Sequence, residues 1–193
     1  DTLDELVQFG QDVCTDLGVR HVVRKEDLSN LESMSFASFG RACEVPEHLV
    51  DEFVQRCLKR FAEKKAPPAI FSGLSTVVRD LSIHNTIAIV TTNSSQNVHA
   101  FLAEHGLSGC IHAVYGVDSP GSKAQKISIA RNQFSAGTTR ESVFMIGDSL
   151  SDIRAAKEAS VTSIAVTWGH QSLDYLLSGN PDYVVNFPHD LIE

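Results

Sequence analysis

The sequence has no basic stripe and no long apolar run, and each absence excludes a class of partner. Its formal net charge is -8 over 193 residues, so it would repel nucleic acid and anionic membrane surfaces. No apolar stretch approaches the roughly 20 residues that span a bilayer, and no basic segment leads into an apolar one as in a signal peptide. We therefore expect a cytoplasmic protein, a monomer or homodimer, with no nucleic-acid or membrane partner.

The spacing patterns of three common kinds of site are also missing. The eight histidines show no spacing typical of metal ligands, and no Gly-x-Ser-x-Gly segment indicates a serine hydrolase. The cysteines include no Cys-x-x-Cys pair, which favours reduced, partly buried thiols over a disulfide or metal site. They are Cys14, Cys43, Cys57 and Cys110.

The hydrophobic pattern changes near residues 66–70. Before this point only helical stripes occur, and after it short apolar runs alternate with amphipathic helices, as in a parallel α/β sheet. We expect a small helical module over 4–68 and a doubly wound α/β core formed by 1–3 and 69–193. Helices are predicted over 3–17, 25–33 and 35–43 and after Pro46, and strands over 86–90, 112–115, 142–146, 163–166 and 182–185.

The most specific motif is the segment from Ile146 to Asp152, where a hydrophobic strand runs into two carboxylates. Ligands of open parallel sheets bind at the carboxyl ends of the strands. Asp148 is therefore placed to bind a hard cation such as Mg²⁺, and Asp152, one helical turn later, to hold a water on that cation. The competing interpretation is that Asp148 only caps the helix that follows.

A second polar segment follows the strand predicted over 86–90 and consists of Thr91, Thr92 and Asn93. Hydroxyls and N–H groups at such a strand-to-helix junction bind phosphate oxygens well. The simpler alternative is an ordinary helix N-cap at Ser94 or Ser95.

A third segment, Ser119–Lys123, is a loop that delivers a lysine to the start of a helix. Exposed lysines without a special role are common, but this one lies between the two strand-end motifs in the chain. Lys123 is therefore a candidate phosphate-binding residue, and Lys126, one turn further on, is the second choice.

Together, the order strand–Thr, loop–Lys and strand–Gly-Asp-x-x-x-Asp resembles the haloacid dehalogenase superfamily, most of all its phosphoglycolate-phosphatase-like branch. The segment Val166–Gly169 also resembles that branch. The resemblance implies a Rossmann-like core with a helical cap inserted near the N-terminus. It implies a Mg²⁺-dependent phosphatase in which Thr91 binds a phosphoryl oxygen, Lys123 neutralises charge, and Asp148, helped by Asp152, binds the metal.

The Asp-x-Asp motif that carries the nucleophile in that superfamily is absent from the sequence, where Asp1-Thr2-Leu3 resembles the residues that follow it. The resemblance implies that the missing strand lies between those ending at Thr91 and Gly147, so we expect the nucleophile upstream and this chain to be inactive alone. The substrate is expected to be a small phosphorylated metabolite: phosphoglycolate, a sugar phosphate or a nucleotide monophosphate. The alternatives are an inactive binding or regulatory relative, and an α/β domain in which the three motifs do not converge.

Overall fold

The structure is a computed structural model that describes residues 3–29, 31, 35–63, 68–134 and 142–192. The chain divides into two compact units. The helical unit contains the residues up to Ala69 and His170–Tyr175, and the α/β unit contains Ile70–Gly169 and the residues from Leu176 onward. The sequence-based division placed 1–3 and 170–175 in the core instead. The observed division after Ala69 falls within the predicted boundary region of 66–70, of which residues 66 and 67 lie outside the described residues, as does the predicted helix end at Ser33.

The structure has a helix in each of the four segments predicted for the first third of the chain, but the second is shorter than the predicted 25–33, since it ends at Ser29 and Leu31 is not helical. Gly18, with a φ of 72° that suits a residue without Cβ, follows the first helix. The Ser35 hydroxyl accepts a hydrogen bond from the N–H of Ser38 and caps the third helix, and Pro46 precedes the fourth. These helices are α1 (Leu3–Asp16), α2 (Glu26–Ser29), α3 (Phe36–Ala42) and α4 (Glu47–Ala62).

The core of the helical unit is built around two phenylalanines. The rings of Phe39 on α3 and Phe53 on α4 meet edge to face, with centroids 5.7 Å apart. Gly10 on α1 lies so close that a Cβ at this position would overlap the Phe39 ring. The same cluster contains three fully buried cysteines, Cys14, Cys43 and Cys57.

The α/β unit contains parallel strands and helices in alternation, as predicted. Two helices of the chain, α5 and α9, were not predicted, although Leu74, Val77, Val78 and Leu81 carry the helical period of α5. None of the helices in the described ranges is long and apolar enough to cross a bilayer. The remaining elements are α5 (Leu74–His84), β1 (Ala88–Val90), α6 (Ser95–Glu104), β2 (Ala113–Tyr115), α7 (Lys123–Phe134), β3 (Phe144–Gly147), α8 (Leu150–Glu158), β4 (Thr162–Val166), α9 (Leu173–Ser178) and β5 (Tyr183–Val185), with short 3-10 helices at Ser108–Cys110 and Pro188–Ile192.

The strands of this unit form two separate parallel sheets, β1-β2 and β3-β4-β5, in the part of the chain that the structure describes. On β1, the carbonyl of Ile87 and the N–H of Thr91 bond to the β2 segment, and on β3 the carbonyl of Val143 bonds to Thr162. Successive residues of a strand direct their backbone N–H and C=O groups to opposite edges. Ala88 on β1 and the even-numbered residues of β3 therefore direct these groups away from β2 and β4, respectively. As a result, β1 and β3 each have one edge that forms no hydrogen bonds within either sheet.

This arrangement leaves the strands predicted over 86–90 and 142–146 less buried than their apolar sequences indicate. The residues of β1 are half-buried, and on β3 the side chains of Phe144 and Ile146 are 51% and 41% exposed. Each strand has a hydrogen-bonded neighbour on only one side, so part of its surface is left uncovered.

Replacing Gly10 with alanine tests the packing of the helical unit. The new methyl group would overlap the Phe39 ring, and overpacking a core costs about 1–3 kcal/mol. The better helix propensity of alanine offsets up to about 1 kcal/mol of this. We expect a net loss of about 1 kcal/mol in the free energy of unfolding, measured by urea denaturation. Gly109→Ala is the control, since no neighbouring atom lies within 4 Å of its added Cβ. Equal effects of the two substitutions would contradict this account.

Candidate active site

The packing of two helices, α7 and α8, holds the polar segments that follow β1 and β3 in place. Ala124 and Ile127 of α7 pack with Ala155 and Ala156 of α8 in one buried cluster. Val90 at the end of β1 and Met145 in the middle of β3 pack against the same cluster. The carboxyl ends of both strands are therefore fixed relative to the first turn of α7, which begins at Lys123.

Lys123 reaches from the start of α7 to the start of α8. Its Nζ lies 2.6 Å from Asp152 Oδ1 and 3.1 Å from the hydroxyl of Ser151. The two charged side chains are 20% and 10% exposed, respectively. The structure thus joins two of the predicted site residues in one partly buried ion pair.

Asp152 has a second set of contacts at the end of β3. Its Oδ2 accepts hydrogen bonds from the N–H of Ser149 at 3.1 Å and from the Ser149 hydroxyl at 2.6 Å. Ser149 in turn caps α8 by accepting a bond from the N–H of Asp152, which completes a capping box. Both carboxylate oxygens of Asp152 therefore have partners within the protein, and these contacts fit a residue that positions Lys123 and the loop after Gly147; Oδ1, which accepts only the Lys123 bond, can accept one more.

Two glycines make room for the two carboxylates of the motif. A Cβ on Gly147 would overlap the Asp152 side chain, and a Cβ on Gly169, in the loop after β4, would overlap the Asp148 side chain. Asp148 therefore lies directly against Gly169. The role of Gly169 was not predicted from sequence, because only the three-dimensional structure brings residues 148 and 169 together.

The predicted phosphate-binding residues form a tightly bonded turn after β1. The hydroxyl of Thr91 accepts a hydrogen bond from the N–H of Asn93 at 3.1 Å, which leaves its own proton to be donated. Oδ1 of Asn93 accepts from the N–H of Ser94 and from the side-chain amide of Asn97. Ser94 is also the N-cap of α6, so this segment has the capping function considered above as the alternative. Thr92 is exposed on this turn.

A second loop, which sequence reasoning missed, supports this turn from the end of β2. Oδ1 of Asp118 accepts a hydrogen bond from the N–H of Ser95 at 2.8 Å, and the N–H of Val117 donates to the carbonyl of Asn93. Lys126 is buried, and its Nζ donates to the carbonyl of Gly116 at 2.6 Å. Lys126 therefore braces the loop after β2, whereas Lys123 contacts the aspartate after β3.

Comparison with known proteins defines the family. A family model described as haloacid dehalogenase-like hydrolase matches residues 1–166. The chain belongs to this family. The resemblance seen in the sequence is thereby confirmed at the level of the family.

Several relatives of this haloacid dehalogenase-like hydrolase are named phosphoglycolate phosphatase. The protein from Synechococcus elongatus is 24% identical over 196 residues, which cover 100% of this chain and 90% of the relative. The one from Caulobacter vibrioides is 32% identical over 124 residues, 63% of this chain and 51% of the relative. The one from Vibrio parahaemolyticus is 30% identical over 109 residues, 56% and 48% of the two chains. The match thus spans about half the length of the last two relatives.

Solved structures of the family share the fold. A haloacid dehalogenase-like hydrolase from Streptococcus pneumoniae superimposes with a TM-score of 0.80 at 21% identity, over 98% of this chain and 90% of that one. A predicted phosphoglycolate phosphatase from Haemophilus somnus gives 0.77 at 15% identity, over 99% and 90%. The predicted α/β fold class is therefore confirmed.

Asp118, whose carboxylate supports the turn after β1, predicts that the stability of this hydrolase depends on pH. The hydrogen bond from the Ser95 N–H holds the pKa of Asp118 below its ordinary value of 3.8, and the Asp118 N–H, the Ser95 hydroxyl and the charge of Lys126 act in the same direction. A carboxyl group with a lowered pKa in the folded state stabilises the fold above its unfolded-state pKa. That contribution is lost as the pH falls through the folded-state value.

We therefore expect Asp118→Asn to lower the urea midpoint near neutral pH, and the difference from the parent protein to shrink as the pH falls below about 3.8. Urea denaturation near pH 7 and near pH 3 measures both values. Asp80→Asn, at an exposed position on α5, is the control and should change little at either pH. A difference that stays constant with pH would contradict the assignment.

Proposed function

We propose that this protein is a Mg²⁺-dependent phosphatase that hydrolyses a small phosphorylated metabolite. The phosphoryl group would pass through an aspartate on a strand that precedes Asp1 in the gene product. The observation that carries the proposal is the Lys123–Asp152 ion pair at 2.6 Å, which joins the start of α7 to the segment that follows β3 and contains Asp148. Family membership and the names of the relatives support the same reaction class.

The unpaired edges of β1 and β3 support a place for the nucleophile strand. Both strands are parallel members of their own sheets and pack on the same α7–α8 cluster. A strand inserted between them would satisfy backbone groups that otherwise have no sheet partner, each of which costs on the order of 1–3 kcal/mol if buried. Its carboxyl end would then lie between Thr91 and Asp148, where a carboxylate meets the phosphate-binding groups.

The residues present can divide the work of phosphoryl transfer, which depends mainly on positioning and charge neutralisation. The Thr91 hydroxyl would donate to one phosphoryl oxygen, with Thr92 and Asn93 offering further donors. The Lys123 ammonium has three N–H donors; Asp152 and Ser151 take two in the structure, and the third would bind the phosphoryl group. Asp152 would keep this ammonium in place.

Asp148 fits a hard cation, because a carboxylate oxygen is the ligand type that Mg²⁺ prefers and Gly169 leaves it space at the end of β3. Mg²⁺ bound there would neutralise phosphoryl charge. In a chain with a net charge of -8 this cation and Lys123 would together offset the repulsion of an anionic substrate. Asp152 would assist through a metal-bound water.

Phosphoglycolate is the first candidate substrate, since the relatives from Synechococcus, Vibrio and Caulobacter carry that name. Sugar phosphates and nucleotide monophosphates are the next classes to assay. The helical unit would act as the cap that selects among them and excludes water during turnover.

Single substitutions in the gene product that includes the sequence preceding Asp1 test these roles. We expect Mg²⁺-dependent release of phosphate from p-nitrophenyl phosphate, and none from a chain that starts at Asp1. Lys123→Met and Asp148→Asn should each lower kcat by about 10²–10³-fold, because each removes a charge that stabilises the transition state. Lys157→Met, at an exposed position on α8, is the control and should leave kcat unchanged.

Phosphate release by the chain that starts at Asp1 would refute the missing-nucleophile proposal. A complete product that lacks activity would favour a binding role.

The space beside Asp148 can be tested separately. In Gly169→Ala the new methyl group would overlap the Asp148 carboxylate and displace it. Displacement by about 1 Å lowers rates about 10²-fold, so we expect a loss of this size in kcat and a higher Mg²⁺ concentration at half-maximal activity. Gly109→Ala, which adds a methyl group in open space, should be neutral in both. Unchanged Mg²⁺ dependence in Gly169→Ala would show that Asp148 is not the metal ligand.

A further inference from the structure

Three potential metal ligands converge in the helical unit, away from the residues discussed so far. They are His21, in the loop between α1 and α2, Asp27 on α2, and Cys43 at the end of α3. One ligand atom from each lies within 4.8 Å of the other two. The three positions are 6 and 16 residues apart in sequence and carry no recognisable motif, so their proximity is a product of the fold.

The geometry inside this cluster is already close to that of a binding site. Nε2 of His21 lies 2.8 Å from Oδ2 of Asp27, and both side chains are mostly buried, with 19% and 18% exposed. Cys43 is fully buried. A tetrahedral zinc site separates N and O ligands by about 3.3 Å and sulfur from either by about 3.6 Å. Changes of about 0.5 Å in the His21–Asp27 separation and of at most about 1.2 Å in those to Cys43 would therefore bring the three atoms to metal-binding distances.

A hydrogen bond fixes one of the ligands, and a carboxylate lies near a second. The N–H of Arg24 donates to Oδ2 of Asp27 at 2.8 Å, which fixes the carboxylate. On the other side of the imidazole, Nδ1 of His21 lies 3.9 Å from the Glu44 carboxylate. Histidines that bind metals usually donate their second ring N–H to a carboxylate or carbonyl, and the exposed Glu44 side chain would need to approach by about 1 Å to accept such a bond.

The backbone at Glu44 is unusual and places this residue beside His21. Its φ is 58°, in the left-handed region that costs a residue with a Cβ about 1–2 kcal/mol. Glycine or asparagine is the usual choice directly after a helix in this conformation. A glutamate here keeps a carboxylate next to the imidazole, where it would accept the Nδ1 proton of a metal-bound histidine.

The site is accessible to solvent on one side. A groove of about 770 Å³ is lined by His21, Asp27 and Glu44 and by their neighbours Arg20, Arg24 and Leu49. Cys43 lies on the buried side, next to the thiol of Cys14. An ion held by the three side chains would keep one coordination position open to water from the groove.

We propose that His21, Asp27 and Cys43 form a binding site for a divalent transition-metal ion of the zinc class, with water as the fourth ligand. Imidazole, carboxylate and thiolate together favour zinc over magnesium, which prefers oxygen ligands in an octahedron. The ion would take the place of the proton shared by His21 and Asp27 and would release the thiol proton of Cys43.

A purely structural role for the cysteine is the competing explanation. Burial raises the pKa of Cys43, and the neighbouring Cys14 and Asp27 raise it further. Without a metal the thiol is therefore neutral and unreactive, as expected for a small apolar side chain in a core. Cys57 lies in a similar environment, since burial raises the pKa of its thiol to about 12. It is not one of the three clustered ligands found among the described residues.

Cobalt binding to the metal-free protein distinguishes the two explanations. Co²⁺ is titrated into the chelator-treated protein with excess Mg²⁺ present to occupy oxygen-ligand sites. We expect one equivalent of Co²⁺ to bind. Its spectrum should show the visible absorption bands of tetrahedral Co²⁺ and a near-ultraviolet charge-transfer band from sulfur to cobalt. One equivalent of Zn²⁺ should remove both features. His21→Gln and Asp27→Asn should weaken binding at least about 10-fold, and Cys43→Ser should abolish the charge-transfer band.

Two matched variants serve as controls. His48→Gln replaces an exposed histidine on α4 of the same unit, and Cys57→Ser replaces a buried cysteine of the same core. Both should keep the parent spectrum and affinity. Zn²⁺ should also raise the Tm of the parent protein and of both controls but not that of His21→Gln, which reports the site even if Cys43→Ser fails to fold.

Three results would overturn the proposal. They are the absence of stoichiometric Co²⁺ or Zn²⁺ binding, a spectrum without the sulfur band, and a sulfur band that survives in a folded Cys43→Ser protein. Since the assay measures metal binding and not turnover, its failure would leave the proposed phosphatase function untouched.

Discussion

The packing of α7 on α8 is the constraint on which the α/β unit depends. The two sheets are not paired with each other in the described part of the chain, and the buried cluster formed by these two helices packs against both of them. That cluster contacts Val90 from one sheet and Met145 from the other. The same packing brings the first turn of α7 to the first turn of α8, and the Lys123–Asp152 ion pair follows from it. The same apolar contact therefore serves both the packing of the sheets and the candidate chemistry.

Most of the fold and part of the candidate site could be predicted from local sequence. Ser149, Asp152 and Gly147 lie next to each other in the chain, and a strand followed by Gly-Asp-x-x-x-Asp is readable because strand ends, glycines and caps obey short-range rules. The exposure of β3 could not be read in this way. Phe144 and Ile146 have the composition of a buried strand, but burial depends on a neighbour that the periodicity of one segment does not report.

Contacts between residues that are distant in sequence could not be predicted for the same reason. Asp148 and Gly169 are separated by a helix and a strand, and only the parallel pairing of β3 with β4 brings them together. Asp118 gave no signal either, since a loop carboxylate that accepts a hydrogen bond from the start of α6 looks like any exposed aspartate. The cluster of His21, Asp27 and Cys43 shows the limit most clearly. Scattered cysteines and histidines argued against a metal site, yet folding of the helical unit gathers one of each around a carboxylate.

The central claim is that the groups after β1 and β3 hold a phosphoryl group for transfer to an aspartate that precedes Asp1. Acid-quenching the complete gene product during turnover with Mg²⁺, followed by peptide mapping, tests this most directly. The account predicts a hydroxylamine-labile phosphoryl group on an aspartate that precedes Asp1 in the gene product, because covalent catalysis by a carboxylate leaves an acyl phosphate. A phosphoryl group on any residue from Asp1 to Glu193, or steady turnover with no phosphorylated peptide, would contradict it.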